Sequence, residues 1–361
     1  MKRIVLTGGG TAGHVTPNIA LIPHLRELGY EISYIGSYEG IEKKLISDYD
    51  IPYYGVATGK LRRYIDPKNL SDPFRVVKGL AEARRILKDI RPDVIFSKGG
   101  FVSVPVVRAA WELHIPCIIH ESDMTPGLAN RFCIPVAKKV CCNFPETVEK
   151  LPDGKAVLTG TPIREELLKG NKEAAYELCG FTKDKPVLMV IGGSSGSVAI
   201  NKEIRTSLPK LLKDFQVVHL CGAGHVDNLL LTQPGYKQFE YLKSELKDVL
   251  AMADIVVSRA GANAICELLA LKKPNLLIPL SKAASRGDQI LNAASFEAQG
   301  YSLVLQEEDM DTVSLTAKIH ELYESRDKYV ETMTASSQGN AIDLIIGLIE
   351  EYSSSTIKVR K

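Results

Sequence analysis

Short apolar runs alternate with longer amphipathic stretches along all 361 residues of the chain. In the first half the apolar runs predict strands. They lie at residues 3–7, 31–35, 53–56, 93–97, 117–120 and 139–143. The stretches between them predict helices, notably at 14–28, 73–90, 102–113 and 127–135. This alternation is typical of an α/β fold, with a parallel sheet covered by helices.

After residue 162 the pattern changes to a charged helical stretch at 164–178 and then restarts. The second set of strands is predicted at 187–191, 216–221, 239–242, 255–258, 275–279 and 302–305. We therefore predict two domains, at 1–162 and 163–338, joined by a linker near 162–166. The segment 339–361 is expected to form a helix that could return to the first domain, followed by a loose tail from Ser353.

Two glycine-rich turns stand half a chain apart, at 5–15 (VLTGGGTAGHV) and 187–198 (VLMVIGGSSGSV). Each follows an apolar run and opens onto a helical pattern. Such a turn directs unpaired backbone N–H groups and the positive end of a helix dipole at a small volume. Two of them predict two Rossmann-like, doubly wound parallel-sheet domains facing a cleft.

Composition excludes several classes of protein. Hydrophobic residues make up 45% and charged residues 24%, as in ordinary globular proteins, and the formal net charge of +2 gives no overall argument for nucleic acid. The chain enters a strand at once, which argues against a signal peptide, and no apolar run approaches the ~18 residues of a spanning helix. The histidines and cysteines lack metal-site spacing. We expect a cytoplasmic protein that contacts a membrane only from outside.

Residues 8–13 satisfy the G-x-G-x-x-G pattern of dinucleotide sites. An NAD site also needs an acidic residue at the end of the second strand, but that strand ends at Ser37 and Glu39 comes late, so this interpretation is disfavoured. His14 is either a cap or packing residue, or a general base at the mouth of the turn. A third glycine turn at 97–103 and the segment 120–123 should reach the same sheet edge, because ligands bind at the carboxyl ends of parallel strands.

In the second half, residues 192–197 are suited to cradle a diphosphate, with Ser194 as a hydroxyl donor. Glu267 lies near the start of a helix that follows Gly261. Its carboxylate could complement the helix dipole or accept hydrogen bonds from the vicinal hydroxyls of a ribose. The polar residues at 286–292 suit sugar hydroxyls.

Seven motifs, in this order and spacing, make the resemblance specific: GGGTAGHVTP, SKGGFVSVP, HESD, GTPIR, GGSSGS, SRAGANAICE and GDQILNA. Over residues 2–350 the chain resembles the undecaprenyl-diphospho-muramoylpentapeptide β-N-acetylglucosaminyltransferase family, which converts lipid I to lipid II in peptidoglycan synthesis. The resemblance implies a GT-B fold that needs no metal or cofactor. It also implies an acceptor lipid on the first domain and UDP-GlcNAc mainly on the second.

The resemblance also implies roles for individual residues. Thr11, Ala12 and Gly13 would line the sugar and acceptor side, and Asp123 would contact the sugar. Arg164 and Ser194 would contact the diphosphate, Leu242 would offer its backbone to the uracil, Glu267 would hold the ribose, and Asp288 with Gln289 would hold the GlcNAc hydroxyls. Ala12, Asp123, Thr161 and Asp288 stand where the commonest family members have Gly, Asn, Asn and Gln. His14 is the first candidate for the general base and Glu121 the second.

The implied reaction inverts the anomeric centre of GlcNAc and places the enzyme at the cytoplasmic face of the cell membrane. Expected partners are UDP-GlcNAc, lipid I, the anionic inner membrane surface and cell-wall assembly proteins. The docking surface would combine residues 60–64, the helix at 73–90 and Trp111. In that helix the predicted core face is Val76, Leu80, Ala83, Leu87 and Ile90, and the mixed basic and apolar remainder is Phe74, Arg75, Val77, Lys78, Arg84 and Arg85. Alternative functions are a diacylglycerol glucosyltransferase, a UDP-GlcNAc 2-epimerase and a non-enzymatic UDP-sugar-binding protein.

Overall fold

The computed structural model describes residues 2–59, 72–193, 196–282 and 287–360. It divides into two compact units. Unit 1 comprises Met1–Arg164 and Asn340–Lys361, and unit 2 comprises Glu165–Gly339. Arg164 is the last residue of unit 1 before the chain enters unit 2.

Unit 1 is built on a sheet of seven parallel strands. The strands are β1 (Lys2–Thr7), β2 (Tyr30–Ser37), β3 (Tyr53–Val56), β4 (Val94–Ser97), β5 (Cys117–Glu121), β6 (Lys139–Cys142) and β7 (Ala156–Leu158). Its helices are α1 (Thr16–Glu27), α2 (Ile41–Ile46), α3 (Asp72–Ile90), α4 (Ser103–Glu112), α5 (Leu128–Cys133), α6 (Pro145–Glu149) and α14 (Ala341–Arg360).

The strand order in unit 1 is β3-β2-β1-β4-β5-β6-β7, so the direction of winding reverses between β1 and β4. Alternate side chains of β1 enter different cores. Val5 packs in the cluster that includes α3 and α4, whereas Ile4 and Leu6 pack in the cluster that includes α1 and α14. Burial on both faces explains why these strands read as apolar runs. In doubly wound sheets the reversal point, at the carboxyl ends of the strands, is where ligands bind.

Unit 2 repeats this plan with six parallel strands in the order β10-β9-β8-β11-β12-β13, reversing between β8 and β11. Its strands are β8 (Val187–Ile191), β9 (Gln216–Leu220), β10 (Tyr236–Phe239), β11 (Ile255–Ser258), β12 (Asn275–Leu277) and β13 (Leu303–Val304). Its helices are α7 (Lys172–Cys179), α8 (Val198–Asp214), α9 (Leu246–Met252), α10 (Ala262–Ala270), α11 (Asp288–Ala298), α12 (Thr312–Glu324) and α13 (Arg326–Thr334).

The structure differs from the sequence prediction at several elements. β10 ends at Phe239, where a strand was expected to begin, because Tyr236 is the buried anchor and its hydroxyl lies 2.8 Å from His219 Nδ1. β7 has only three half-buried residues and gives no apolar run. The charged stretch 164–178 forms a short 3-10 helix, Glu165–Leu168, and then α7.

The last helix, α14, is anchored in unit 1 by both apolar and polar contacts. Ile345 and Ile349 are fully buried in the core cluster that includes α1. Glu350 accepts a hydrogen bond of 2.6 Å from Lys2. Ser353 is buried, with its hydroxyl 2.6 Å from that of Tyr30, so the expectation of a loose tail from this residue is wrong.

Because α14 completes a core of unit 1, we predict that Ile349→Ala lowers the free energy of unfolding of that unit by about 2–5 kcal/mol, through loss of apolar contact and an unfilled cavity. The single tryptophan, Trp111, lies in unit 1, so its fluorescence in a urea titration follows that unit. Leu344→Ala is the matched control, because Leu344 on the same helix is 38% exposed. Equal effects of the two variants would contradict the anchoring role.

Candidate active site

The glycine turns after β1 and β4 pack backbone against backbone at the reversal point of unit 1. Gly9 N donates to Gly99 O at 3.3 Å. Gly100 has φ +86°, and a Cβ atom there would lie 2.3 Å from Gly9 O. Only glycine permits both this conformation and this approach. The predicted convergence of the two turns therefore has a direct backbone cause.

The first glycine turn differs from the expected cradle of unpaired N–H groups. Gly9 N is paired as described above, and Gly10 N donates to Glu42 Oε2 at 3.1 Å. Glu42 belongs to α2 and its side chain is fully buried. The expectation of an open anion site is thus wrong for these two amides, since an internal carboxylate and a carbonyl already occupy them.

His14 ends a short 3-10 turn, Ala12–His14, and α1 begins two residues later than predicted, at Thr16. Pro17 favours the first turn of a helix, which explains the later start. The half-buried imidazole has Nδ1 3.1 Å from Gly9 O and 3.1 Å from Thr11 Oγ1. Because a carbonyl can only accept, Nδ1 is assigned the proton and Nε2 the lone pair.

Electrostatics keep this imidazole neutral. Burial lowers the pKa of His14 to about 4, with a further lowering from the Lys98 ammonium, while Gly9 and Glu42 act in the opposite direction. At neutral pH the group is therefore a proton acceptor.

Lys98, directly after β4, is a buried cation at the same edge. Its Nζ lies 2.9 Å from His120 Nδ1 and also donates to the Ser122 hydroxyl. His120 Nε2 lies 2.9 Å from Gly160 O, so it carries the proton and Nδ1 accepts from the lysine. Burial, reinforced by Lys98, lowers the pKa of His120 well below its usual value.

Glu121, the second candidate for a base, is held by the loop that follows β5. It accepts hydrogen bonds from the backbone N–H groups of Asp123 and Gly127, both at 3.0 Å, and from Asn130 Nδ2 at 2.9 Å. Burial raises the pKa of Glu121. These contacts are those of a residue that shapes the loop and thereby places the half-buried Asp123.

Three further predicted residues lie in unit 1. Thr11 and Ala12 are exposed and Gly13 is half-buried, so this part of the turn faces solvent. Arg164 is half-buried at the end of the unit.

In unit 2, Ser197 at the end of the glycine turn after β8 is contacted by Arg259, which follows β11. Arg259 Nη2 donates to Ser197 Oγ at 2.6 Å and pairs with Glu307, while Nη1 donates to the carbonyls of Ile278 and Pro279. Ser197 in turn caps α8 by accepting from Ile200 N at 3.3 Å. Arg259 lies in a motif that sequence reasoning singled out without giving this residue a role. The predicted hydroxyl donor, Ser194, lies outside the described residues.

The remaining predicted ligands of unit 2 lie on α10, on α11 and after β10. Glu267 is half-buried on the second turn of α10. Asp288 begins α11, and Gln289 Oε1 accepts from Leu280 N at 3.1 Å, which leaves the Gln289 side-chain amide as a donor. Leu242 lies in the loop after β10 and not in a strand, three residues beyond Phe239. Within the described ranges no three His, Cys, Asp or Glu side chains come together as metal ligands.

Comparison with known proteins matches both units. Residues 4–142 match the model of the glycosyltransferase family 28 N-terminal domain, and residues 187–346 match that of the family 28 C-terminal domain. A protein of Lachnospira eligens, named UDP-N-acetylglucosamine–N-acetylmuramyl-(pentapeptide) pyrophosphoryl-undecaprenol N-acetylglucosamine transferase, is 64% identical over 353 residues, which are 98% of this chain and 100% of the relative. The chain belongs to this family of N-acetylglucosamine transferases.

Solved structures agree with the fold expected of this transferase family. The crystal structure of MurG from Acinetobacter baumannii is 26% identical with a TM-score of 0.78, covering 97% of this chain and 100% of that one. The predicted GT-B fold with two Rossmann-like domains is confirmed. A UDP-GlcNAc 2-epimerase from Neisseria meningitidis also aligns over 97% of this chain and 100% of its own, with a TM-score of 0.70, but at 15% identity this likeness shows the fold alone.

For this transferase family member we predict that Lys98→Met raises the pKa of His14 from about 4, because removing the buried cation removes its repulsion of the imidazolium. NMR titration of the His14 ring measures this value. Lys43→Met, an exposed lysine on α2, is the control and should leave the titration unchanged. An unaltered His14 pKa in the Lys98 variant would contradict the electrostatic coupling.

Proposed function

We propose that the protein transfers GlcNAc from UDP-GlcNAc to the 4-hydroxyl of MurNAc in lipid I, with inversion, and so forms lipid II for peptidoglycan synthesis. The observation that carries this proposal is the 64% identity to the Lachnospira eligens transferase over 98% of this chain and the whole of the relative. It is a UDP-GlcNAc-dependent hexosyltransferase of glycosyltransferase family 28.

In this reaction the acceptor oxygen bonds to the anomeric carbon, the bond from that carbon to the UDP oxygen breaks, and the hydroxyl proton leaves. His14 is proposed to take the proton at Nε2, because Nδ1 is held by the Gly9 carbonyl. Its pKa of about 4 in the substrate-free state keeps it unprotonated. Diphosphate groups of the substrates would raise that pKa as they bind, because nearby anions favour the imidazolium.

The donor is proposed to bind at the reversal point of unit 2. The diphosphate lies against the turn at 192–197 and the N-terminus of α8, where backbone N–H groups and the helix dipole favour anions, and Ser194 and Arg164 contribute polar contacts. Glu267 accepts from the ribose hydroxyls, Leu242 offers its backbone to the uracil, and Asp288 with Gln289 holds the GlcNAc. On the acceptor side, residues 11–13 and Asp123 line the sugar.

Unit 1 is proposed to dock on the anionic inner surface of the cell membrane through α3 and the end of α4. In α3, Ala83 and Leu87 are buried against α4, as predicted for its core face. The opposite face leaves Val77 67% exposed together with basic residues that include Arg84 and Arg85. None of the helices in the described residues combines the length and hydropathy needed to span a bilayer.

The end of α4 extends this docking surface. Arg84 Nη1 lies 3.9 Å from Glu112 Oε2, beside Trp111, which is 55% exposed. Trp111 also lines a cavity of about 370 Å³ with Lys138 and Lys155. An aromatic ring among lysines and arginines suits the headgroup region of an anionic leaflet. Residues 60–64 and the side chain of Phe74, also assigned to this surface, lie outside the described parts of the chain.

The reaction is tested with purified protein, labelled UDP-GlcNAc and a lipid I analogue in the presence of EDTA. Formation of the disaccharide product is expected. UDP-ManNAc formed without acceptor would instead indicate an epimerase, preference for UDP-glucose a glucosyltransferase, and donor binding without turnover a UDP-sugar-binding protein.

In that assay, His14→Ala should lower kcat by on the order of a hundredfold, with little change in the KM for UDP-GlcNAc, because it removes the proton acceptor. Glu267→Ala is the contrasting variant and should raise that KM substantially while leaving kcat near the wild-type value. A loss confined to KM in the His14 variant would make this residue a binding group.

For membrane docking, Arg84→Glu combined with Arg85→Glu should weaken binding to phosphatidylglycerol vesicles by on the order of tenfold or more, since each basic residue contributes ~1 kcal/mol at an anionic surface. Sedimentation with vesicles measures the affinity. Lys210→Glu with Lys213→Glu, exposed on α8 of unit 2, makes the same change in net charge and is the control. Equal losses for both pairs would indicate that overall charge, and not this surface, governs binding.

A further inference from the structure

The peptide unit between Gly9 and Gly10, in the first glycine turn, is hydrogen-bonded to the Glu42 carboxylate on one side and to the His14 imidazole on the other. Its N–H, from Gly10, donates to Glu42 Oε2 at 3.1 Å, and its carbonyl, from Gly9, lies 3.1 Å from His14 Nδ1. The N–H and C=O of a trans peptide are coplanar and point in opposite directions. A carboxylate, a peptide and an imidazole are therefore joined by two consecutive hydrogen bonds.

The position of the Glu42 carboxylate is fixed from several directions. Oε1 accepts from Ser37 N at 2.9 Å and from the Ser37 hydroxyl. Three glycines leave the space it occupies, since a Cβ atom on Gly9 or Gly40 would lie 2.4 or 2.2 Å from the carboxyl group, and one on Gly36 would lie 2.8 Å from Glu42 Cγ. Burial opposes its ionisation, but the hydrogen bonds from Ser37 and Gly10 outweigh that effect and lower the pKa of Glu42.

A carboxylate in this place affects the imidazole in two ways. Hydrogen bonds in a chain polarise one another, so the anion makes the Gly9 carbonyl a stronger acceptor for the Nδ1 proton. The lone pair is then kept on Nε2, and the imidazolium formed by proton transfer gains from the nearby negative charge. If Glu42 served only to end β2, its hydrogen bonds to Ser37 would be enough. Its second carboxylate oxygen, however, binds Gly10 N in the turn that leads to His14.

We propose that Glu42 is a positioning residue for the transferase reaction, acting through the Gly9–Gly10 peptide to hold His14 in the tautomer that accepts the acceptor's proton. This inference rests on the proposed function, in which His14 is the general base. Glu42 lies outside all seven sequence motifs. In other histidine-based sites a carboxylate bonded directly to the imidazole fixes its tautomer, and here Glu42 would do so through one peptide unit.

Other charged and titratable groups around the His14 turn set the direction of any pH effect. Lys98 after β4 lowers its pKa and Glu42 on α2 raises it. His120 on β5 is kept neutral, and the Tyr34 hydroxyl on β2 donates to Gly8 O at 2.7 Å. Removing the negative charge of Glu42 therefore lowers the His14 pKa, so the acidic limb of the pH profile of kcat should move to lower pH.

The test compares Glu42→Gln with Glu39→Gln, which removes the same charge from an exposed position three residues away. For Glu42→Gln we expect kcat to fall by on the order of tenfold, part of the 10²–10⁴-fold that general base catalysis provides, with the KM for UDP-GlcNAc changed less than about twofold. Long-range ¹H–¹⁵N NMR of the His14 ring should show the Nδ1–H tautomer in the wild type and a mixture of tautomers in the variant. Glu39→Gln should change neither.

Combination with His14→Ala separates the two proposals. If His14→Ala keeps full activity, the base assignment fails irrespective of Glu42. If His14→Ala is impaired and Glu42→Gln lowers kcat by the same factor in that background as in the wild type, Glu42 acts independently of His14 and the inference is overturned. If Glu42→Gln fails to fold, Ser37→Ala is the second variant, because it removes one hydrogen bond to the same carboxylate. It should give a smaller fall in kcat and a partial change of the His14 tautomer. A wild-type tautomer population in Ser37→Ala would also overturn the inference.

Discussion

At the glycine turn of each unit, a buried charged side chain satisfies polar groups that the end of the sheet leaves without strand partners. A turn at the reversal point of a parallel sheet leaves backbone N–H and C=O groups without strand partners, and burying them unsatisfied is unfavourable. In unit 1 the Glu42 carboxylate supplies acceptors to Ser37 and Gly10. In unit 2 the Arg259 guanidinium supplies donors to the carbonyls after β12 and to Ser197. The carboxylate accepts from backbone N–H groups, whereas the guanidinium donates to carbonyl oxygens and a hydroxyl, so each charge matches the groups that it pairs with.

The general plan of the fold was predictable because its signals are local. A strand buried on both faces must be apolar, and a strand followed by glycines and a helix leaves the same pattern in each half of the chain. The predicted strand bounds were wrong where a contact between residues distant in sequence determines the position of the strand. Tyr241 and Leu242 look like the continuation of a strand, but the hydrogen bond between Tyr236 and His219 fixes β10 three residues earlier.

The site was predictable only where the ligand chemistry itself requires a motif. His14 follows a glycine turn and could be singled out, and Lys98 lies within another. Glu42 could not, because its partners Ser37 and Gly10 lie 5 and 32 residues away and its own neighbours are those of an ordinary surface helix. The available signal was indirect: Gly36 and Gly40 stand on either side of the end of β2, and a Cβ atom on either would collide with the buried Glu42 side chain.

The two glycine turns therefore have similar sequences but different hydrogen-bond partners. In the first turn Gly9 and Gly10 have their amides paired within the protein, so the turn cannot offer those N–H groups to a phosphate, and its glycines serve close packing and the presentation of an imidazole. In the second turn Gly196 N donates to Gly193 O at 3.0 Å, and Ser197, which caps the seventeen-residue helix α8, accepts a hydrogen bond from Arg259, so the positive end of the helix dipole lies at this turn. A histidine site needs a lone pair held in one direction, whereas a diphosphate site needs several donors that converge. The same strand–glycine–helix plan can supply either arrangement, and in the first turn the internal pairing of the Gly9 and Gly10 amides favours the histidine.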